Sequence, residues 1–172
     1  MESSEKKIMN EAILLIGGNL GNRLDNISRT MGYIEDRIGN IKNYSSVYES
    51  EAWGFETEHR FLNVVVVVET PLQQEFLLQK AHEIETIMGR LRNNNGYSSR
   101  TMDVDILFFN DSAIDTPVLT IPHPHLHERR FVLLPLIEIM PDKVHPVFQK
   151  NIKELLAECC DNCEVNAYSL SL

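Results

Sequence analysis

The 172-residue chain is short of positive charge: 16 Lys and Arg stand against 25 Asp and Glu, a formal net charge of −9. That shortage excludes a general nucleic-acid or anionic-membrane surface, because phosphate polymers are held by basic patches. Cysteine is scarce as well. Cys159, Cys160 and Cys163 crowd near the C-terminus, an odd number at a spacing that suits no disulfide framework. Cys160 and Cys163 have the spacing of half a metal site, but the nearest upstream histidine is the distant His145, and free thiols in a reducing compartment are the simpler reading. No apolar run approaches the roughly 20 residues of a membrane span. The apolar run before Gly17-Gly18 is also too short for a secretory signal, which needs roughly 7–15 such residues. A cytoplasmic protein that touches neither nucleic acid nor membrane is expected. There is no G-x-x-x-x-G-K-[ST] phosphate loop, no G-x-G-x-x-G, no internal repeat and no evident Ser-His or Cys-His nucleophile pair.

What is present reads as one folded domain over 1–172, with its core at about 11–150; 43% of residues are hydrophobic, enough for a buried core. Ala12 to Ile16 is a short apolar run ending at two glycines, which predicts a buried strand. The loop GGNLGNR follows. Leu24, Ile27, Met31, Ile34 and Ile38 then recur at helical spacing. Ile41 to Trp53 alternates weakly and predicts a strand. Phe61 to Thr70, with five consecutive valines, is the clearest strand. Pro71 suits the first turn of a helix carrying Leu72, Phe76, Ala81, Ile84, Ile87 and Met88, with Gly89 as its stop. Arg90 to Ser99 is a polar loop, Thr101 to Phe109 a strand, and Asn110-Asp111 a turn. Pro117 to Ile121 predicts a short strand pairing back, and Phe131–Ile139 and Asn151–Cys160 predict helices. The order β-α-β-β-α-β with C-terminal additions is the ferredoxin-like pattern, an α+β sandwich on a mostly antiparallel sheet.

The chemistry concentrates in SRTMDVDILFFND, Ser99 to Asp111. Side chains two apart on a strand share a face, so Asp103 and Asp105 stand together, roughly 6.6 Å apart at about 3.3 Å per residue. Val104, Ile106 and Phe108 are expected on the opposite, core face. Two neighbouring carboxylates repel each other and resist dehydration. A hard cation such as Mg²⁺ reverses both costs, and it completes its shell with phosphates and water. Arg90, Arg92 and Arg100 flank the pair and suit phosphate oxygens. An isolated D-x-D also occurs on ordinary solvated edges, and such an arginine loop also occurs as plain surface. The polar loop between the arginines has the composition of a lid. A second basic segment, IPHPHLHERRFVLLPL, is held extended by Pro122 and Pro124. Its His123, His125 and His127 either share a face as zinc ligands, without a clear fourth partner, or leave one histidine and Arg129 to a phosphate.

Four segments together carry a resemblance: LLIGGNLGNR, SSVYESEAWG with FLNVVV, GRLRNNNGYSSRTMDVDILFFND, and IPHPHLHERRFVLLPL. In this order, from about Leu14 to Leu136, the chain resembles the 6-hydroxymethyl-7,8-dihydropterin pyrophosphokinases of folate biosynthesis. These enzymes move the β,γ-pyrophosphoryl group of ATP onto the pterin's hydroxymethyl oxygen and release AMP. The resemblance implies ATP and the pterin as partners, with Asp103 and Asp105 holding two Mg²⁺ ions. It implies Arg90 and Arg100 as the catalytic loop arginines, with Arg92 nearby. Glu85, Ile106, His123 and Arg129 are implied on the nucleotide and phosphate side. Asn63 is implied at the pterin's polar edge, with the pterin itself sandwiched between the rings of Phe61 and Phe131. A monomer is expected. This chain departs from the family at Gly18, where Ser is usual, and at Glu51-Ala52, where a Pro-containing pair is usual. It departs again at Tyr97, where Trp is common, and at Ser99, where Pro is common. Trp53 stands where it could cap a closed site.

Two other readings fit parts of the pattern. A different metal-dependent phosphotransferase would share the aspartates and arginines but has no need of Phe61, Asn63 and Phe131. A non-catalytic effector-binding module is compatible with the fold but has no need of D-x-D beside three arginines.

Overall fold

The computed structural model describes residues 8–90 and 96–169. Arg92 therefore lies outside the described residues. The chain runs β1 (Asn10–Gly18), α1 (Arg23–Arg37), β2 (Asn40–Tyr44), β3 (Tyr48–Ser50), β4 (Phe61–Thr70), α2 (Gln74–Ile87) and β5 (Asp103–Phe109). It continues as β6 (Ile114–Asp115), β7 (Thr120–Ile121), a 3₁₀ turn at Leu126–Glu128, α3 (Arg130–Ile139), α4 (Ile152–Glu158) and β8 (Val165–Ala167). The main sheet has the order β5-β1-β4-β3-β8, with β2 also on β4, and every pairing in it is antiparallel. This is the expected α+β ferredoxin-like sandwich with additions. Among the described residues, no helix is long and apolar enough to cross a membrane.

Alternation along the central strands builds two cores. Ala12, Leu14 and Ile16 of β1 and Leu62, Val64, Val66 and Val68 of β4 pack with Ile27 and Ile34 of α1 and Leu77, Ala81 and Ile84 of α2. Ile13, Leu15, Val65 and Val67 point the other way and meet Val132, Leu133 and Leu136 of α3 and Ile152 and Leu155 of α4. Because both faces are covered, the valine run of β4 is continuous rather than alternating with polar residues. α1 is capped by Asn22, whose side chain accepts the Asp25 N–H at 3.2 Å. α4 carries a reciprocal Asn151–Glu154 capping box.

Four expectations are corrected. The strand expected over Ile41–Trp53 is two strands, and 51–60 is loop. Ser45 interrupts it: its Oγ accepts the Val65 N–H at 3.0 Å while its own N–H donates to the Val65 carbonyl at 2.9 Å. Glu138 of α3 then holds the far side of the break, accepting from Ser46 N–H at 2.8 Å and the Tyr48 hydroxyl at 2.7 Å. Phe108 does not share a face with Val104 and Ile106. The ladder to β1 shifts, pairing Leu14 with Ile106 but Ile13 with Phe108, so Leu107 is an extra residue. Phe108 is thereby turned into the α3–α4 core, on the face of the aspartates. Pro117–Ile121 yields only the two-residue β7, which pairs with β6 in a separate sheet. The histidine segment is not extended throughout. The 3₁₀ turn splits His127 from the neighbouring His123 and His125, so His125 pairs with Glu128 at 2.8 Å while His127 packs on Phe148, 4.6 Å between ring centres.

Candidate active site

The register places the site at one corner of the sheet. Asp103 lies opposite Gly17, Gly17 lies opposite Asn63, and Asn63 lies opposite Tyr48. Asp105 is one pleat further in, opposite Leu15. The row Asp103–Gly17–Asn63 faces the α3 side, with Arg129 and Phe131, at the start of α3, forming one wall. Glycine is needed in the middle of this row. A Cβ on Gly17 would run into Asn63 Oδ1 and lie 3.2 Å from the Leu62 carbonyl. Its neighbour Gly18 is tight on the other face, where a Cβ would overlap the Thr101 carbonyl. That close approach accounts for a glycine at the first departure.

Over this floor lie two hollows. One is a narrow slot of about 60 Å³ between Phe61, Asn63, Gly17, Phe131, Trp53 and Arg129. The other is a groove of about 790 Å³ running past Glu85, Arg90, Ile106, Leu119 and His123. They share two residues, Arg100 and Asp105. In the slot, Asn63 is 2% exposed, and its amide donates to Ser50 Oγ at 3.0 Å. Phe55 supports Phe61 edge-on, 6.1 Å between centres.

The charges are arranged unequally. Asp103 is flanked by Arg90 and Arg100, both in direct ion pairs with it. Buried Glu85 anchors this group, accepting from Arg90 at 2.7 Å and from the Val104 N–H of β5 at 3.0 Å. Asp105 has no ion pair among the described residues. Burial raises its pKa above the ordinary carboxylate range, and the neighbouring Asp103 adds to the rise, while His123, Arg129 and Arg100 oppose it. Asp103 is raised by burial too, against the pull of its arginines. Burial lowers the His123 pKa, opposed by Asp105, so its imidazole is neutral near pH 7. Its Nδ1 accepts the His125 N–H at 3.2 Å, leaving Nε2 to carry the proton. Two carboxylates on one face, one without an ion pair among the described residues, are oxygen donors of the kind that could hold Mg²⁺. The three histidines of the alternative zinc reading do not converge, and no cluster of three or more His, Cys, Asp or Glu around a metal position occurs among the described residues.

Asn19 knits the surrounding loops. It is 3% exposed and donates to the His59 carbonyl at 3.1 Å and Ser99 Oγ at 3.0 Å, while its Oδ1 accepts the Arg100 N–H at 2.8 Å. The sequence reading passed over Asn19, Gly17 and Ser50. Gly17 was legible in principle, since it continues the face of Ile13 and Leu15. Asn19 and Ser50 carry no local signal, because their partners are 13 to 81 positions away.

Comparison with solved structures defines the fold class first. The crystal structure of Plasmodium falciparum HPPK-DHPS, wild type with SDX-DHP, superposes with a TM-score of 0.69 at 19% identity, over 90% of this chain and 45% of that one. The chain thus spans less than half of such a bifunctional protein, and the likeness concerns the fold alone. Sequence relatives go further. A 2-amino-4-hydroxy-6-hydroxymethyldihydropteridine pyrophosphokinase of Aquifex aeolicus is 38% identical over 84% of this chain and 93% of its own length. The enzyme of the same name from Bacillus subtilis is 37% identical over 76% of this chain and 78% of its own length. The family model described as 7,8-dihydro-6-hydroxymethylpterin-pyrophosphokinase matches residues 13–141. The chain belongs to that family.

Proposed function

We propose that the chain transfers the β,γ-pyrophosphoryl group of ATP to the hydroxymethyl oxygen of 6-hydroxymethyl-7,8-dihydropterin, giving the pterin diphosphate and AMP. The observation that carries this reading is the junction of the two hollows. A large polar groove and a narrow aromatic slot meet only at Arg100 and Asp105, which is the geometry for joining a triphosphate to a flat ring.

The slot would take the pterin between Phe61 and Phe131, with Asn63 supplying both donor and acceptor to its amide-like edge. The groove would take ATP, its triphosphate running toward Asp105. Asp103 and Asp105 are the residues that would hold Mg²⁺, two ions in this reading, which supplies positive charge against the phosphate oxygens. The new bond joins the pterin oxygen to the β-phosphorus. The bond broken links that phosphorus to the oxygen that leaves on AMP, and the hydroxyl proton is lost to solvent. Arg100, which reaches both hollows, is placed to follow charge from the attacking to the leaving side. Arg90 and neutral His123 line the groove as further donors to phosphate. No nucleophilic side chain is required, because phosphoryl chemistry rests on alignment and charge.

The test is AMP release from ATP and Mg²⁺ with and without the pterin, for the wild type and Asp105→Ala. Pterin-dependent AMP that disappears in the variant is expected. ADP as the product, or no turnover by a folded wild type, refutes the reading.

A further inference from the structure

Arg129 is the most enclosed arginine of the site, 7% exposed, yet it has no carboxylate within ion-pair distance among the described residues. Its guanidinium instead lies among rings. The central carbon is 4.5 Å from the Trp53 ring centre, 5.6 Å from Tyr97 and 5.8 Å from Phe131. Nη2 donates to the Tyr97 hydroxyl at 2.9 Å, and Nε has no hydrogen-bond partner among the described residues. Trp53 and Tyr97 meet edge to face, 5.5 Å between centres. The guanidinium thus occupies the slot, covering one face of Phe131. What remains is about 60 Å³. That is room for a few water molecules, and a two-ring heterocycle stacked on Phe131 would meet the guanidinium.

We propose that Tyr97 is a positioning residue for Arg129: its hydroxyl parks the guanidinium inside the aromatic slot, and the flat substrate is admitted when Arg129 leaves. The inference rests on the function proposed above. The parked state is held weakly by design of its chemistry. A buried cation with one phenol, three ring faces and an idle Nε gives up little when an anion is offered. A triphosphate in the groove is such an anion. The hydroxyl is the only side-chain oxygen of Tyr97 that can accept from a guanidinium, and neither Phe nor Trp supplies a side-chain hydrogen-bond acceptor there, since an indole only donates.

The full-length wild type, Tyr97→Phe and Tyr97→Trp test it. Tyr97 is 44% exposed, so either variant folds. In the wild type and Tyr97→Phe, Trp53 is the single tryptophan; it touches the parked guanidinium and reports its departure through its emission. Pterin affinity is measured without nucleotide and again with Mg²⁺ and a non-hydrolysable ATP analogue. Both variants should bind pterin about tenfold more tightly than wild type without nucleotide, the loss expected for one hydrogen bond to a charged group. The gap should close to about twofold or less with the analogue bound. A merely structural role for Tyr97 would weaken binding in both states. Equal or weaker pterin binding by the nucleotide-free variants overturns the proposal. Pterin-dependent AMP formation by the wild type separates the two readings: where it is present, such a result removes the latch alone. Where it is absent, the pterin reading falls and the latch with it.

Discussion

Asp105→Asn is expected to stabilise the metal-free protein while abolishing turnover. Asp105 stands beside a second carboxylate at roughly 6.6 Å along the strand, has no ion pair among the described residues, and has its charged form disfavoured by burial first and Asp103 second. At an effective dielectric of about 20, two like charges at that separation repel by ~2.5 kcal/mol. Attraction to His123, Arg129 and Arg100 offsets part of this, and the amide keeps the shape. A net gain of about 1 kcal/mol is expected, or ~2–4 °C in Tm for a chain of this size. Asp103→Asn should do the reverse. It strips Arg90 and Arg100 of their shared carboxylate, leaving Arg90 to Glu85 and Arg100 without an ion pair among the described residues, and leaving an enclosed cation unpaired costs about 2 kcal/mol or more. The assay is thermal unfolding at pH 7 in a chelator, repeated with Mg²⁺ and an ATP analogue. Ligand should lift the wild type and leave Asp105→Asn behind, because only a ligand that binds the native state stabilises it. A lower Tm for Asp105→Asn in chelator would refute the argument that this carboxylate is held at a cost for function.

Two further outcomes follow from the same geometry. Gly17→Ala should raise the pterin KM at least tenfold with a smaller change in the ATP KM, since the new methyl displaces the Asn63 amide on the slot floor; steady-state kinetics with each substrate varied decides it, and equal effects on both KM values would contradict it. His145 is buried and its pKa is lowered to about 4, by burial first and His127 second, while its Nδ1 accepts two backbone N–H groups at 3.2 and 3.3 Å. A base whose folded pKa is depressed contributes stability above its unfolded pKa of about 6.5 and loses it as pH falls toward the folded value. Unfolding followed between pH 7 and 4 should therefore show a destabilisation of at most about 3 kcal/mol that His145→Asn, which keeps an acceptor but does not titrate, removes. An unchanged pH slope in that variant would rule this out.

Much of the fold was legible because the central strands carry their own signal. β1 and β4 are apolar on both faces, and such runs bounded by glycine or proline have few alternatives. The aspartate pair was legible for the same reason, since a period of two fixes which side chains share a face. What escaped depends on partners far along the chain. The break at Ser45 is stabilised by Val65, and the extra residue at Leu107 shows only in the ladder to β1. β8 exists because β3 leaves an edge to pair. The placement of Arg129 escaped as well. Its sequence neighbourhood suggested a phosphate contact and gave no sign of Trp53, Tyr97 and Phe131, residues from two separate loops and a helix start, among which the structure puts it.

On the proposed reading, the arginines would let an acidic chain be built around a triphosphate. Scattered over the surface, they would have been solvated and screened. Here each is held in place by a provisional partner: Arg90 by Glu85 and Asp103, Arg100 by Asp103, Arg129 by aromatic faces and a phenol. Their positions are thus set before any ligand arrives, and most of their dehydration has already occurred during folding. A phosphate entering the groove then exchanges one partner for another rather than ordering free side chains, and such preorganisation is what makes fixed charges effective in a water-poor site. On the latch proposed above, the same exchange would empty the slot beside Phe131. The two hollows would then be linked through Arg100, which reaches both, and through Arg129, which cannot stay parked in the slot while it meets a phosphate.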